Sequence, residues 1–226
     1  MSDLAQSLLD QYRPFSRPHA LLLAGGSASG KTRLFKSLLS LKAVLNPVTM
    51  HGVWIDPDLC KEKLPTFDAV VRRGDPTEYE TLHEESSVLS KDVARGAIDR
   101  RYDLVLDTTL SNKAKAVRLL TQLSEAGYTV HILAAVCPLV LAHERNQKRF
   151  REEGRRVPAE ALTRTHQDFW VNHLAYLTFC DQFLMYDTTQ EPKLLGYRAV
   201  VDGQIVLGIN DRMRYTELAE EVKAYG

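Results

Sequence analysis

A glycine-rich segment near the start of the chain contains the residues with the clearest chemical meaning. Residues 25 to 32 read Gly-Gly-Ser-Ala-Ser-Gly-Lys-Thr, the spacing of a phosphate-binding loop. Gly25 and Gly30 let the backbone curl with its N–H groups pointing inward, Lys31 brings a mobile charge to the β- and γ-phosphates, and the Thr32 hydroxyl completes a Mg²⁺ shell. We therefore expect nucleotide binding by Gly25, Gly26, Ser27, Ala28, Ser29, Gly30, Lys31 and Thr32, with Thr32 also a metal ligand.

The flanking sequence has the order that such a loop requires. His19 to Ala24 is an apolar run, which is typical of a strand buried on both faces. Arg33 to Leu41 continues as a helix whose positive end points at the bound anion. This context disfavours an ordinary glycine-rich turn and predicts binding of ATP or GTP with Mg²⁺.

Other motifs narrow the class of P-loop protein. A signalling GTPase carries Asp-x-x-Gly after its third strand and Asn-Lys-x-Asp for guanine, but this chain has Asp-Thr-Thr-Leu at 107–110 and Asn-Lys-Ala-Lys at 112–115. A mechanical ATPase usually follows its strand-end Asp with Glu, where this chain has Thr108. Small-molecule kinases instead combine a carboxylate near the acceptor hydroxyl with an arginine-rich lid. The sequence offers both, so it predicts phosphoryl transfer.

The candidate carboxylates follow two predicted strands. Asp56 and Asp58 come just after the second strand, where open α/β sheets present catalytic groups, and either could accept or orient the proton of an attacking hydroxyl. The alternative is an ordinary turn that caps a helix. Asp107 ends an apolar strand in the position of a Walker-B-like carboxylate, and its alternative is a cap on the next helix.

A basic segment supplies the candidate lid. Arginines cluster around Gly154, and for most charge runs a solvated face is the better explanation. A phosphate-binding loop in the same chain favours a lid, because developing phosphoryl charge calls for guanidinium donors. The lid candidates are Arg149, Arg151, Arg155 and Arg156. The histidines show no metal-ligand spacing, and we expect packing from His166 and His173, which share a predicted helix face near Trp170.

Composition excludes several classes of function. Basic and acidic residues balance at 29 each, so no global field would attract nucleic acid. The three cysteines are too dispersed for a disulfide framework or a zinc knuckle. The N-terminus does not look like a signal peptide, and no stretch approaches membrane-spanning length. We expect a cytoplasmic protein that binds neither nucleic acid nor membrane.

The chain alternates between strand and helix patterns, which predicts an α/β P-loop fold with a doubly wound, mostly parallel sheet and helices on both faces. We expect one domain over 1–226: an N-terminal helix and linker in 1–17, a core over 19–187, and a C-terminal hairpin and helix in 196–226. The predicted later strands are His51–Ile55, Tyr102–Asp107, Thr129–Val136 and Gln182–Tyr186, and the predicted later helices are Glu78–Arg100, Lys113–Ala126, Leu139–Phe150, Pro158–Phe179 and Tyr215–Ala224.

Taken in order, these motifs resemble the zeta toxin family of P-loop kinases from about His19 to Asp187. The resemblance is carried by Gly25 to Thr32, Ile-Asp-Pro-Asp at 55–58 with Pro-Thr-Phe-Asp at 65–68, Tyr-Asp-Leu-Val-Leu-Asp-Thr-Thr at 102–109, Val-Cys-Pro at 136–138, Arg149, and Gly-Arg-Arg-Val-Pro at 154–158.

The resemblance implies roles for single residues. Well-studied members use ATP to phosphorylate the 3′-hydroxyl of the amino sugar in UDP-N-acetylglucosamine, with a base that falls on Asp58 and phosphate-coating arginines that fall on Arg149 and Arg155. The strand-end acid, usually Glu, falls on Asp107. With the loop lysine added, we expect Lys31, Asp58, Arg149 and Arg155 to be catalytic, and Asp56, Asp107 and Thr109 to bind the substrate.

The chain departs from the best-known toxins on the acceptor side. Asp107 is one methylene shorter than the usual Glu, Ser111 stands where those toxins have Arg, and Leu64 stands where they have His before Pro. A kinase for another nucleotide, metabolite or antibiotic hydroxyl therefore stays open, as does a nucleotide-binding regulator without fast chemistry. The resemblance also implies that a small antitoxin protein could block the nucleotide cleft.

Overall fold

The computed structural model describes residues 1–40, 51–153 and 157–224. The end of the predicted Arg33–Leu41 helix lies outside these residues. So do Arg155, Arg156 and Gly154 of the predicted lid.

The described residues form one seven-stranded sheet. Its strands are β1 (His19–Ala24), β2 (Val53–Ile55), β3 (Leu104–Asp107), β4 (Thr129–Val136), β5 (Gln182–Asp187), β6 (Lys193–Val201) and β7 (Gln204–Ile209). They are ordered β2-β3-β1-β4-β5-β6-β7. The strands from β2 to β5 in this order are parallel, and β6 and β7 add an antiparallel hairpin. The doubly wound, mostly parallel sheet is confirmed.

Helices lie between and around these strands. They are α1 (Asp3–Leu9), α2 (Lys31–Ser40), α3 (Pro57–Lys61), α4 (Phe67–Arg73), α5 (Pro76–Asp99), α6 (Lys113–Glu125), α7 (Leu139–Glu153), α8 (Ala159–Tyr176) and α9 (Arg212–Ala224). Several begin at polar caps: Asp75 accepts hydrogen bonds at the start of α5, and Asn112 accepts one at the start of α6. No described helix is both long and apolar enough to span a bilayer.

Side chains on the two faces of the sheet pack into separate clusters. Leu21 and Leu23 of β1 face the helix that follows the glycine-rich loop, where Leu34 and Phe35 are buried. Leu22 points to the opposite face. That face is covered by apolar residues of α1, α5, α6, α8 and α9. Because both faces are covered, the central strands are largely apolar.

Strand register aligns the carboxyl ends where the loop and the acidic residues lie. Leu23 pairs with Asp107, Ala24 pairs with Ala134 of β4, and Ile55 pairs with Leu106. The residues that follow β1, β2 and β3 therefore emerge at one edge of the sheet, as expected for parallel strands.

The structure corrects several predicted elements. The second strand begins at Val53 rather than His51, and β3 begins at Leu104 rather than Tyr102. The short helices α3 and α4 were not predicted, because five and seven residues are too few to establish helical periodicity.

The C-terminal hairpin is present and longer than predicted. Asp202 and Gly203 adopt φ angles of 51° and 77°, which suit the two-residue turn between paired strands. The first hairpin strand, β6, already begins at Lys193. The last helix begins at Arg212 rather than Tyr215.

Candidate nucleotide and acceptor site

The glycine-rich loop connects β1 to α2 through unusual backbone conformations. Gly25 and Gly30 have φ angles of 119° and 94°, and Ala28 has a φ of 59°. A Cβ on Gly25 would lie 2.1 Å from the carbonyl oxygen of Ala135. Glycine is therefore required at this position by both conformation and space. A loop of this shape at a helix N-terminus turns its N–H groups toward an anion.

Helix α8 contacts the loop through His166 and Thr165. The buried His166 ring places Nε2 2.9 Å from the Ser27 carbonyl, and since a carbonyl only accepts, this nitrogen carries the proton. Thr165 Oγ1 accepts a 3.0 Å hydrogen bond from the Ser27 N–H. A Cβ on Gly26 would lie 2.1 Å from the His166 ring. Burial lowers the pKa of His166 to about 4, so the imidazole is neutral near pH 7.

A second set of contacts to the loop comes from α7 and from Thr188, which directly follows β5. Arg145 donates to the Ser29 carbonyl at 3.2 Å and to the Thr188 carbonyl at 2.6 Å. The Thr188 hydroxyl lies within hydrogen-bond distance of the Ser29 carbonyl and of Val136. The loop is thus fixed by contacts from three segments that lie more than a hundred residues away from it in the chain.

Lys31 lies between the loop and the end of β3. Its Nζ is 3.3 Å from the carbonyl oxygens of both Gly25 and Gly26, and 3.6 Å from Asp107 Oδ1. Asn112, and not Asp107, caps the following helix. Asp107 therefore lies against the loop lysine, rather than serving as the helix cap that was its structural alternative.

The two carboxylates after β2 occupy different environments. Asp56 Oδ1 accepts a 2.9 Å hydrogen bond from the Asp58 N–H and so caps α3, with Pro57 in the first turn. Asp58 Oδ2 lies 3.2 Å from Arg149 Nη2, and Asp58 Oδ1 lies 3.4 Å from Lys61 Nζ. The capping alternative thus describes Asp56, whereas Asp58 projects to a cluster of cations.

A cleft of about 690 Å³ joins these groups. Of the predicted residues that have described positions, those lining it are Ser27, Ala28, Gly30, Lys31, Thr32, Asp56, Asp58, Asp107, Thr109 and Arg149. Gly25, Gly26 and Ser29 are buried and are not among the residues that line the cleft. Arg155 lies outside the described residues, so its predicted role stays a prediction.

The loop after β3 contributes Thr108 and Thr109 to the lining of the cleft. Thr109 Oγ1 lies 2.9 Å from the Ser111 hydroxyl, and Leu110 has a φ of 46°. Helix α8 holds this turn, because Tyr176 donates to the Leu110 carbonyl at 2.7 Å and Asn172 donates to Ser111 O at 3.0 Å. Ser111 is thereby tied to Thr109, at the position where the resemblance had marked a departure.

The donor set suits Mg²⁺. Thr32 offers an exposed hydroxyl at the start of α2, in a cleft that also contains carboxylate oxygens. Mg²⁺ prefers such oxygen ligands and takes several of its ligands from water and phosphates. Within the described residues, no group of three or more His, Cys, Asp or Glu side chains could hold a metal. Thr32 would hold Mg²⁺ here together with nucleotide phosphates.

Sequence reasoning missed several residues of the site. Arg145 and His83 line the cleft, Lys61 contacts Asp58, and His166 had been expected only to pack. Arg145 lies in the basic segment, where its charge gave a partial signal. Lys61 lies three residues after Asp58 in one short helix, a spacing that indicates an ion pair once the helix is known. His83 and His166 gave no local signal, because long-range packing brings them to the cleft and to the loop.

The loop, the sheet order and the acidic strand ends together define a P-loop protein with a kinase-like α/β fold. The sequence profile of the zeta toxin family matches residues 5–182. The chain therefore belongs to the zeta toxin family, as the sequence resemblance predicted.

Individual relatives agree with this assignment. Toxin zeta of Enterococcus hirae is 24% identical over 140 residues, which are 62% of this chain and 47% of the relative. The match thus spans about half the length of that toxin. The structure of AvrRxo1-ORF1:-ORF2 with ATP superposes with a TM-score of 0.70 at 20% identity, covering 96% of this chain and 67% of the other.

A toxin–antitoxin structure shares the same fold. The PezAT system of Streptococcus pneumoniae superposes with a TM-score of 0.65 at 15% identity, covering 96% of this chain and 90% of that chain. At these identities the superpositions establish the fold. Together with the family match, they confirm the predicted α/β P-loop architecture.

Proposed function

We propose that this protein transfers the γ-phosphoryl group of ATP to a hydroxyl of a nucleotide sugar such as UDP-N-acetylglucosamine. The observation that carries this proposal is the convergence of Lys31, Asp58 and Arg149 on one cleft at the carboxyl ends of the parallel strands. A protein that only binds nucleotide needs the loop alone. Such binding does not require a carboxylate like Asp58 at the cleft.

On the donor side, the loop N–H groups and Lys31 bind the β- and γ-phosphates. Thr32 would hold Mg²⁺ together with the phosphates, and the bound ion would neutralise charge on the nucleotide. Lys31 already lies within 3.6 Å of Asp107, so this carboxylate can hold the lysine toward the loop. The complex of a structural neighbour with ATP supports ATP as the donor.

On the acceptor side, Asp58 orients the attacking hydroxyl and takes its proton. The acceptor oxygen bonds to the γ-phosphorus as the bond to the bridging oxygen breaks, and ADP leaves. Asp56, Asp107 and Thr109 line the same cleft and would contact the acceptor. His83 of α5 also lines it and adds a group that could read the substrate.

Arg149 has two partners in this scheme. In the structure its guanidinium pairs with Asp58 at 3.2 Å. We propose that it turns to the transferring phosphoryl group when nucleotide is bound, together with Arg155. Such a movement stays within one cleft, because Asp58, Arg149 and Lys31 all line it.

Two further proposals concern the setting of the protein. A small antitoxin that covers the cleft is supported by the PezAT toxin–antitoxin neighbour and by the Toxin zeta relatives. A cytoplasmic location is supported by the three cysteines, which are buried, unpaired thiols of the kind kept in reducing compartments.

Mass spectrometry tests the proposed activity. The protein is incubated with ATP and Mg²⁺, first with UDP-N-acetylglucosamine and then with a metabolite extract, and products heavier by one phosphoryl group are sought. We expect such a product from the nucleotide sugar and none with Lys31→Ala, which removes a charge aimed at the ligand and leaves the fold intact.

Each other outcome has a definite meaning. A phosphorylated product from the extract but none from UDP-N-acetylglucosamine would assign another acceptor to the same catalytic groups. ATP binding without any phosphorylated product would contradict phosphoryl transfer and favour a nucleotide-binding regulator.

A further inference from the structure

Lys61 is a buried lysine beside the proposed catalytic carboxylate. It lies in the last turn of α3, and only 6% of its side chain is exposed. Lysine is almost never fully buried unless its charge is paired, because an ammonium group loses its hydration there. The position of Lys61 therefore requires a compensating contact.

Two contacts provide that compensation. Lys61 Nζ lies 3.4 Å from Asp58 Oδ1, and it lies 4.8 Å from the centroid of the Tyr79 ring of α5. A cation over an aromatic face within about 6 Å is attracted by the ring quadrupole. The ammonium group is thus held between a helix that packs against α3 and the carboxylate at the start of α3.

Asp58 is bound by a different cation on each oxygen. Lys61 contacts Oδ1, while Arg149 of α7 contacts Oδ2 at 3.2 Å. The two cations differ in their freedom, since 35% of the Arg149 side chain is exposed but only 6% of the Lys61 side chain is. Arg149 can leave the carboxylate for another anion, whereas Lys61 is enclosed.

The charged groups around Lys61 also favour movement of Arg149 away from Asp58 while Lys61 stays in place. Burial, followed by repulsion from Arg149, lowers the pKa of Lys61, and the nearby Asp56 opposes the shift. His83 of α5 also faces this cluster, and burial followed by the Lys61 charge lowers its pKa. Movement of Arg149 away from Asp58 would relieve repulsion between the two cations.

We propose that Lys61 is a positioning residue that fixes the orientation and negative charge of Asp58 when Arg149 turns to the transferring phosphoryl group. This inference rests on the proposed phosphoryl transfer. Asp58 is among the residues that line the cleft and Lys61 is not, so Lys61 would act through the Asp58 carboxylate. Lys61 would hold Asp58 while Arg149 contacts the phosphoryl group, two tasks that Arg149 could not perform at the same time.

Carboxyl-carbon NMR tests the contact without requiring catalysis. The Asp58 signal is assigned by its loss in Asp58→Asn, and its titration midpoint is measured in the parent, in Lys61→Met and in Lys63→Met. Methionine keeps the length and apolar stem of lysine without its charge. Lys63 is an exposed lysine two residues away, so its replacement controls for net charge.

We expect the Asp58 midpoint to rise by about one pH unit or more in Lys61→Met, because a cation within hydrogen-bond distance favours the carboxylate. Lys63→Met should leave the midpoint unchanged. An equal midpoint in the parent and Lys61→Met would overturn the proposal, whatever the protein phosphorylates. If Lys61→Met does not fold, Lys61→Gln provides the neutral variant for the same comparison.

Kinetics then test the positioning role, with ATP, Mg²⁺ and UDP-N-acetylglucosamine or whichever acceptor the parent phosphorylates. Lys61→Met should lower kcat roughly tenfold or more with KM for ATP nearly unchanged, since misplacing a catalytic group affects the transition state. The acid limb of the pH profile of kcat should move to higher pH in Lys61→Met, in the same direction as the Asp58 midpoint measured by NMR. An unchanged kcat would contradict positioning. A parent protein without activity would contradict the proposed function. The NMR titration would then still test whether Lys61 stabilises the Asp58 carboxylate.

Discussion

Asp56 and Asp58 have the same type of side chain and lie two positions apart, yet they make different contacts. Asp56 holds the backbone of α3 through the Asp58 N–H, while Asp58 projects its carboxylate to Lys61 and Arg149. The difference arises because Asp56 keeps an extended backbone with a φ of −135°, and the helix begins directly after it. Two substitutions at the residue scale separate these tasks.

Asp58→Asn should lower turnover by roughly a hundredfold or more, the scale expected for loss of a general base, while the affinity for ATP is kept. Asp56→Asn is the matched variant. Because Asn is as good an N-cap as Asp, it should keep turnover within several-fold of the parent. Steady-state kinetics and nucleotide titration of both variants measure the difference. The reverse order of activities would show that the assignment of the two carboxylates is wrong.

Arg149→Ala should reduce turnover far more than it weakens ATP binding, because a lid arginine acts on charge that develops in the transition state. Arg151→Ala is the control, since Arg151 lies exposed in the same helix. We expect the same result for Arg155→Ala, on the family resemblance alone. Comparing kcat with the ATP dissociation constant distinguishes the roles, and equal losses in both would mark Arg149 as a ground-state contact.

At the scale of elements, the loop depends on helix α8 as much as on its own glycines. Gly25 and Gly30 supply the backbone conformation, but His166 and Thr165 hold Ser27 in place. Arg145 and Thr188 do the same for Ser29. A loop fixed from both sides needs little rearrangement to receive phosphate, which lowers the entropic cost of binding.

Gly26→Ala tests this dependence. The added Cβ would lie 2.1 Å from the His166 ring, so the ring or the loop must shift, and we expect a loss of about 1–3 kcal/mol in the free energy of unfolding with weaker ATP binding. Gly74→Ala is the control. That glycine has a φ of 67° and open space around it, so alanine there should cost about 1 kcal/mol and leave ATP affinity unchanged. Denaturant unfolding and nucleotide titration check both, and unchanged affinity in Gly26→Ala would argue against a rigid support.

At the scale of the whole molecule, buried ionisable groups connect stability to pH. The seven-stranded sheet brings β1, its loop and α8 together, and this assembly encloses His166 with 1% exposure. We also propose that the described residues form one domain, since the sheet continues from the core into the C-terminal hairpin. Protonation at His166 should therefore affect global unfolding.

The pKa of His166 is about 4 in the folded protein, below the ordinary value of 6.5. The unfolded chain thus binds more protons between pH 6.5 and pH 4, so stability should fall as pH is lowered through this window. The loss attributable to His166 is about 3 kcal/mol at most. Unfolding of His166→Gln and of the parent at pH 4, 5, 6 and 7 measures it, with exposed His51→Gln as the control. Parallel pH profiles for parent and His166→Gln would refute the contribution.

The sequence by itself determined the parts that depend on local chemistry. The loop from Gly25 to Thr32 could be identified because phosphate binding needs particular residues at fixed spacing. The strands Thr129–Val136 and His19–Ala24 could be placed because both faces of a central strand must be apolar. Strand–helix alternation then indicated the parallel sheet.

Only the tertiary structure decided which distant residues meet at the site. Arg149 of α7 meets the Asp58 carboxylate across 91 positions, and the His166 ring contacts the Ser27 carbonyl across 139 positions. Such contacts leave no local signal, because any helix face can carry a buried histidine or an arginine. The chain thus encodes the phosphate-binding loop locally, whereas its support and the setting of its carboxylates come from packing around the sheet.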